Sequence, residues 1–233
     1  MGPTNGSENR RTRKSRSHVK IHRLYAVLGD EFRSNRMAMF KRLFAMTEGT
    51  HILDLGADAA TWAQLDPGQR VTLVNLDPRV LRGHLTSIVA DALAVPFADG
   101  SFDVVFSNSL IEHLGTDQRQ RAFAAEVRRL SRNGYFIQTP NKWFPIEPHY
   151  LAPFVQFVPK SIRPAVIRWM TLWGWMTRPS REQCGRMCQE IRLLDAREMR
   201  QLFPEAKIVR ERFFGLTKSI IAIWQPDGRE AHQ

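Results

Sequence analysis

The sequence predicts an α/β fold: a doubly wound, mostly parallel seven-stranded sheet with an antiparallel terminal strand pair and an aromatic, basic helical insertion. Three observations predict it. Short apolar runs alternate with stretches of helical spacing from His51 to Leu130, as repeated strand–helix units do. Several runs stop abruptly at polar residues, the habit of buried parallel strands whose carboxyl ends meet a ligand. Asn141–Cys188 then breaks the rhythm, and Asn141–Arg181 within it carries four of the six tryptophans.

Taken in order, residues 1–18 are dominated by Gly, Pro, Ser, Asn and Arg and read as a disordered basic tail. Leu24–Met46 has helical spacing, with Met37, Phe40, Leu43 and Phe44 on one side. His51–Leu55 is a first strand ending at Gly56, Val71–Leu76 a second, Thr86–Ala90 a third and Phe102–Ser107 a fourth. Pro78 suits a helix start. Thr116–Leu130 is a helix burying Phe123, Val127 and Leu130, stopped by Asn133-Gly134. Tyr135–Thr139 is a fifth strand, ended by Pro140. Asp195–Phe203 is a helix, and Lys207–Phe213 with Lys218–Trp224 form a terminal pair turning at Gly215.

At 233 residues and 43% hydrophobic, the chain suits one domain with a decoration. No apolar run reaches the ~18 residues needed to span a bilayer, and no apolar leader follows the N-terminus. Cytoplasmic placement is expected. Cys184 and Cys188, spaced C-x-x-x-C, have no further His or Cys nearby in sequence, so they read as reduced thiols, and no metal site is expected. Of the net charge of +11, Arg10–Arg23 supplies seven basic residues and no acid; the remainder has 27 basic against 23 acidic residues. The charge therefore belongs mainly to the tail.

The densest signal is Ile88–Leu114. Asp91-Ala92 ends a strand, Pro96-Phe97 follows, and Asp99-Gly100-Ser101 turns into Phe102-Asp103-Val104-Val105. The run ends at Ser107-Asn108-Ser109, and Glu112-His113 comes next. This string resembles the class I S-adenosylmethionine-dependent methyltransferases, type 11 subgroup, whose pattern is D-A-x-x-L-P-F-x-D-x-S-F-D-x-V and then E-H. Val95 stands for the usual leucine. The resemblance covers residues 50–140 well and 195–224 in pattern, and implies a Rossmann-like methyltransferase domain over residues 19–228, with 141–188 inserted as a substrate lid.

The resemblance implies S-adenosylmethionine as cofactor. It places Asp54 and Gly56 near the methionine part, Asn75 and Asp77 near the ribose hydroxyls, and Asp91 and Ala92 at the adenine. Ser107 and Asn108 then form the edge that faces the cofactor. Two departures stand out. Gly56-Ala57-Asp58-Ala59-Ala60 replaces a glycine-rich turn, and Asn75 stands where an acid is usual. Asp77 either substitutes for that acid or caps the Pro78 helix.

Methyl transfer needs the acceptor atom aligned with the sulfonium methyl, and a base only when the acceptor must lose a proton. His113 and His149 are the candidates. Each has a structural alternative: His113 as a shaper of the cofactor pocket, His149 as a lid residue satisfying backbone groups. Glu147 could orient His149, and Trp143, Glu147, His149 and Tyr150 are the expected substrate contacts.

Within the insertion, Ser161–Met176 reads as one helix, apolar nearly all round and flanked by Lys160 and Arg178. It suits packing on the sheet, a lid over an apolar substrate, or peripheral contact with the inner membrane face. A small, apolar or lipid-linked acceptor is expected. An RNA methyltransferase using the basic tail is the alternative partner reading, not favoured because Ser107-Asn108-Ser109-Leu110 lacks an N-P-P-Y-type motif. A non-catalytic binding protein of the same fold is the third.

Overall fold

The computed structural model describes residues 31–56, 59–62, 68–76, 85–147, 149–150 and 152–226. The basic tail, the start of the Leu24–Met46 helix, and the expectations at Asp58, Asp77 and Pro78 lie outside the described residues. The chain divides into two compact units, Met1–Met46 and Thr47–Gln233. In the first, residues 31–44 form helix α1, on which Phe40 and Phe44 stand one turn apart with ring centroids 5.1 Å from each other.

The second unit holds a seven-stranded sheet. Its strands are β1 (His51–Leu55), β2 (Arg70–Asn75), β3 (Leu85–Val89), β4 (Val104–Asn108) and β5 (Tyr135–Pro140), with β8 (Lys207–Phe213) and β9 (Leu216–Trp224). The order is β3-β2-β1-β4-β5-β9-β8. The first five run parallel, while β9 is antiparallel to both β5 and β8. The expected sheet is thus present, with each strand shifted by at most two residues from its sequence boundaries. The strand order reverses between β1 and its neighbours β2 and β4, and that reversal opens the crevice in which such sheets bind ligands.

The β1 residues Ile52, Leu53 and Leu55 are buried, as residues of a central parallel strand usually are. Asp103 sits just before β4 rather than in it: its carboxylate accepts from the His51 backbone (2.9 Å) and from Asn133 Nδ2 (3.1 Å), pinning the starts of two strands. Helix α2 (Asp117–Leu130) is capped by Thr116 and buries Phe123, Val127 and Leu130 as the spacing predicts. A later helix, α6 (Ala196–Leu202), packs Met199 and Leu202 into the same core.

The insertion departs most from expectation. Ser161–Met176 is two helices, α3 (Arg163–Met170) and α4 (Leu172–Thr177), not one. Thr171 makes the break. Its hydroxyl donates to Ile167 O (2.6 Å) and accepts from Gly174 N (2.9 Å), ending one helix and capping the next. At Gly174 an added Cβ would lie 2.1 Å from Ile167 O, so α4 folds back where only glycine fits. A further helix, α5 (Arg181–Glu190), adds to the sequence expectation and is opened by a Ser180–Gln183 capping box. Ahead of these, β6 (Ile146–Glu147) and β7 (Ala152–Pro153) form a short antiparallel pair.

The insertion has its own core of Tyr150, Ala152, Val155, Ile167, Cys184 and Cys188. Packing on the sheet is therefore not what occupies the outer faces of α3 and α4. Trp169 and Trp175 are 66% and 64% exposed, with Met170 and Met176 beside them. Among the described residues no helix is long and apolar enough to cross a membrane.

Candidate active site

The crevice edge begins at Gly56, which has φ +82°; an added Cβ would lie 2.9 Å from Leu110 Cβ. Both the conformation and the close approach demand glycine here. Two residues earlier, Asp54 is buried, and Trp62 Nε1 donates to its Oδ2 at 2.6 Å. Trp62, from a 3-10 turn at Ala59–Trp62, is a site residue that sequence reasoning missed. Its distance from Asp54 along the chain gives no periodic signal.

Asn75 closes β2, and its Oδ1 accepts from the Leu76 backbone at 2.8 Å. Asp91 is exposed; one oxygen accepts from Leu93 N (3.0 Å) and the other lies 3.7 Å from Arg119. Ala92 is half-buried against the core. Asn108 ends β4, half-buried. Ser107 is a correction. It is fully buried, and its hydroxyl donates to Leu55 O at 2.9 Å, so it joins β4 to β1 instead of facing a ligand.

After β4, Ser109 takes a left-handed φ of +58°, a conformation costing a non-glycine residue on the order of 1 kcal/mol. Its hydroxyl donates to Gln138 Oε1 (2.9 Å). This turn delivers the 3-10 segment Ile111–Leu114, which presents Glu112 inward and His113 outward. Glu112 is fully buried; Thr139 Oγ1 donates to its Oε2 (2.9 Å), and burial raises its pKa to about 7. His113 Nε2 lies 3.2 Å from His149 Nε2, with the rings edge to face. Desolvation of its ring, then His149, depresses His113 to about 4.

His149 Nδ1 is 2.6 Å from Glu147 Oε1, as the sequence suggested it could be. Burial pulls the His149 pKa down, but the bond to Glu147, the Glu147 charge and Glu112 together hold it above the ordinary value. Glu147 is itself buried, with Tyr150 N donating to its Oε2 at 2.8 Å. The structure thus joins His113, His149 and Glu147 and adds Glu112. Glu112 was legible only as half of an E-H pair.

The other two residues expected to contact substrate are Tyr150 and Trp143. Tyr150 is buried, stacked edge-on toward Trp173, and burial raises its phenol pKa well above the usual range. Trp143 is 61% exposed, stacks on Phe157 and donates from Nε1 to Asp195 (3.2 Å). It lines an open cleft of about 400 Å³ with Asn141, Asp195 and Arg210. A second cleft of about 210 Å³ is bordered by Glu147, Tyr150, Lys142, Lys160 and Arg163.

A type 11 family model, described as methyltransferase domain, matches residues 53–138, the span from β1 through β5 that holds the crevice. Over these residues, from β1 through β5, the chain matches the methyltransferase domain family. Among curated proteins, it is 23% identical over 155 residues to the tRNA (carboxymethyluridine(34)-5-O)-methyltransferase of Arabidopsis thaliana, covering 58% of this chain and 38% of that protein. It is 27% identical over 124 residues to the protein of the same activity from Xenopus tropicalis, covering 49% and 19%. The chain thus spans well under half the length of these relatives.

Among solved structures, the fold is similar to the 1,6-didemethyltoxoflavin-N1-methyltransferase of Burkholderia thailandensis, with TM-score 0.53 and 14% identity, covering 96% of this chain and 91% of that one. It is also similar to the N-methyltransferase NodS of Bradyrhizobium japonicum in complex with S-adenosylhomocysteine, with TM-score 0.51 and 14% identity, covering 84% and 87%.

The methyltransferase domain fits its cofactor at the crevice edge. Gly56 keeps the β1 turn free of a side chain, and Asp91 leaves an exposed carboxylate at the end of β3. Asp54 is the weaker match, because it is buried, with Trp62 Nε1 on one of its oxygens. S-adenosylmethionine, when bound, supplies a methyl group already activated by the sulfonium. The chain's own residues are left to bind, orient and exclude water.

Proposed function

We propose that this domain methylates an apolar or lipid-linked acceptor whose nucleophilic atom lies beside His113 and His149. One observation carries the acceptor class. Helices α3 and α4, in the segment that follows His149, expose Trp169, Met170, Trp175 and Met176. From His149 to Arg181 there are five basic residues and no acid. Tryptophan and methionine interleaved with arginine suit an interface between a greasy ligand and an anionic surface. We place the protein's working position at the inner membrane face on the same grounds. The imidazole pair, with Glu147 behind it, handles the acceptor's proton or charge. The test compares turnover on an acceptor in anionic vesicles with turnover on its water-soluble, chain-shortened analogue. Preference for the vesicle form, lost when Trp169 and Trp175 become serine, supports the reading; equal turnover contradicts it.

A second reading is favoured by the curated relatives, whose names assign them methylation of tRNA. Under it, the basic residues hold phosphates, and binding of tRNA falls steeply with added salt. Salt-sensitive tRNA binding with turnover on tRNA, and none on vesicle-borne acceptors, replaces the first reading with this one.

A further inference from the structure

Two stretches distant in sequence meet at the acceptor face. Glu112 and His113 come from the 3-10 turn after β4, and His149 follows β6. Among the described residues, these three form a group in which each offers a ligand atom and all lie within 4.8 Å of one another. The two imidazole Nε2 atoms are 3.2 Å apart. Metal–nitrogen bonds of about 2.0–2.1 Å at a tetrahedral angle put two nitrogens ~3.3 Å apart. The pair therefore has the spacing of two ligands on one ion.

The surroundings fit a metal as well. His149 Nδ1 is held by Glu147 at 2.6 Å, and Glu147 is anchored by the Tyr150 backbone. A carboxylate on Nδ1 fixes the tautomer that turns the Nε2 lone pair outward, which is how metal-binding histidines are usually oriented. Glu112 supplies an independent sign. Its Oε2 is occupied by Thr139, but its Oε1 is buried with no hydrogen-bond partner among the described residues. A buried carboxylate oxygen without a donor is costly, and a cation removes that cost. The Glu112 and Glu147 carboxylates are both buried, and one divalent ion with two neutral imidazoles balances them.

We infer that Glu112, His113 and His149 bind a divalent first-row transition ion, zinc in the first instance, with Glu147 as the positioning residue for His149. A carboxylate and two imidazoles suit zinc and leave a coordination position open. The residue His113 is exposed, so that position can be reached from solvent. An acceptor oxygen there would lose its proton to solvent more readily, because the cation holds the electron pair left behind. This use of the site rests on the function proposed above; binding of the ion does not.

The test uses the full chain, stripped with a chelator and titrated near neutral pH with zinc alone by calorimetry. Cobalt is then titrated with its visible spectrum recorded. The expected result is saturable uptake of one ion per chain and a cobalt spectrum of low coordination number. His149→Ala and Glu112→Gln should weaken zinc binding severely. Glu147→Gln, which removes no ligand, should weaken it roughly 10–100-fold. Circular dichroism and S-adenosylhomocysteine binding report whether each variant is folded. A wild type without saturable zinc binding overturns the inference, as does a folded His149→Ala that binds zinc as tightly as the wild type. Zinc binding without turnover on any lipid acceptor would leave the metal site standing and remove the acceptor reading. Turnover on that acceptor by a chain that binds no zinc would do the reverse.

Discussion

Under the proposed function, replacing Trp169 and Trp175 together by serine should weaken binding to anionic vesicles without unfolding the protein. Both side chains are mostly in solvent, 66% and 64% exposed. A tryptophan side chain has on the order of 200 Å² of surface, and two-thirds of that is ~130 Å². At ~25 cal/mol per Å², complete transfer to an apolar phase is worth about 3 kcal/mol per residue. A helix lying in the interface buries about half of this, leaving ~1.5 kcal/mol, or roughly tenfold in partitioning for each tryptophan. The double variant should therefore bind about a hundredfold more weakly. The assay is flotation with phosphatidylcholine vesicles with and without phosphatidylglycerol. Trp175 Nε1 donates to Trp169 O at 3.2 Å, so the two residues form one patch and their effects need not add. Equal partitioning of variant and wild type would refute the reasoning, as would binding indifferent to phosphatidylglycerol.

Thr171→Ala removes a buried hydroxyl that both ends α3 and caps α4; it should cost about 1–2 kcal/mol and speed hydrogen exchange at the Gly174 amide, while unchanged exchange would show that the break has another cause. His51 provides a pH prediction. Burial lowers its folded pKa below the unfolded value of about 6.5, and its ring is held by Thr72 (3.0 Å) and Phe102. The unfolded chain then takes up the proton first, so this contribution is complete above the unfolded pKa and is lost as pH falls through the folded one. Urea unfolding should show less acid sensitivity in His51→Gln than in the wild type; parallel curves would contradict the assignment.

The sheet was legible because buried parallel strands write themselves as short apolar runs with polar ends, as in Ile52–Leu55 and Val104–Phe106. Helix α2 was legible because Thr116 caps a clean 3.6-residue stripe. The insertion was not, since apolar residues on every side of Ser161–Met176 hid the point at which Thr171 turns its hydroxyl to the backbone. Helix α5 carries too few apolar residues to show a stripe, and its capping box was the only sign. Within the site, Glu147 and His149 were readable because they are near neighbours in one segment. The approach of His113 to His149 was not, because it depends on how a loop 36 residues away folds back. Ser107 misled because a polar strand end looks the same whether its hydroxyl faces a ligand or the neighbouring strand.

The most direct measurement is calorimetric titration of the full chain with S-adenosylhomocysteine, repeated with Gly56→Ala and Asp91→Asn. Gly56→Ala forces a Cβ into Leu110 at a left-handed φ and should abolish binding. Asp91→Asn removes a charged acceptor worth about 1.5–3 kcal/mol and should weaken binding roughly 10–150-fold. Saturable binding at one site in the wild type, reduced in this order, is the predicted result. A folded wild type that does not bind, or an Asp91→Asn variant that binds as the wild type does, would contradict the cofactor site described above.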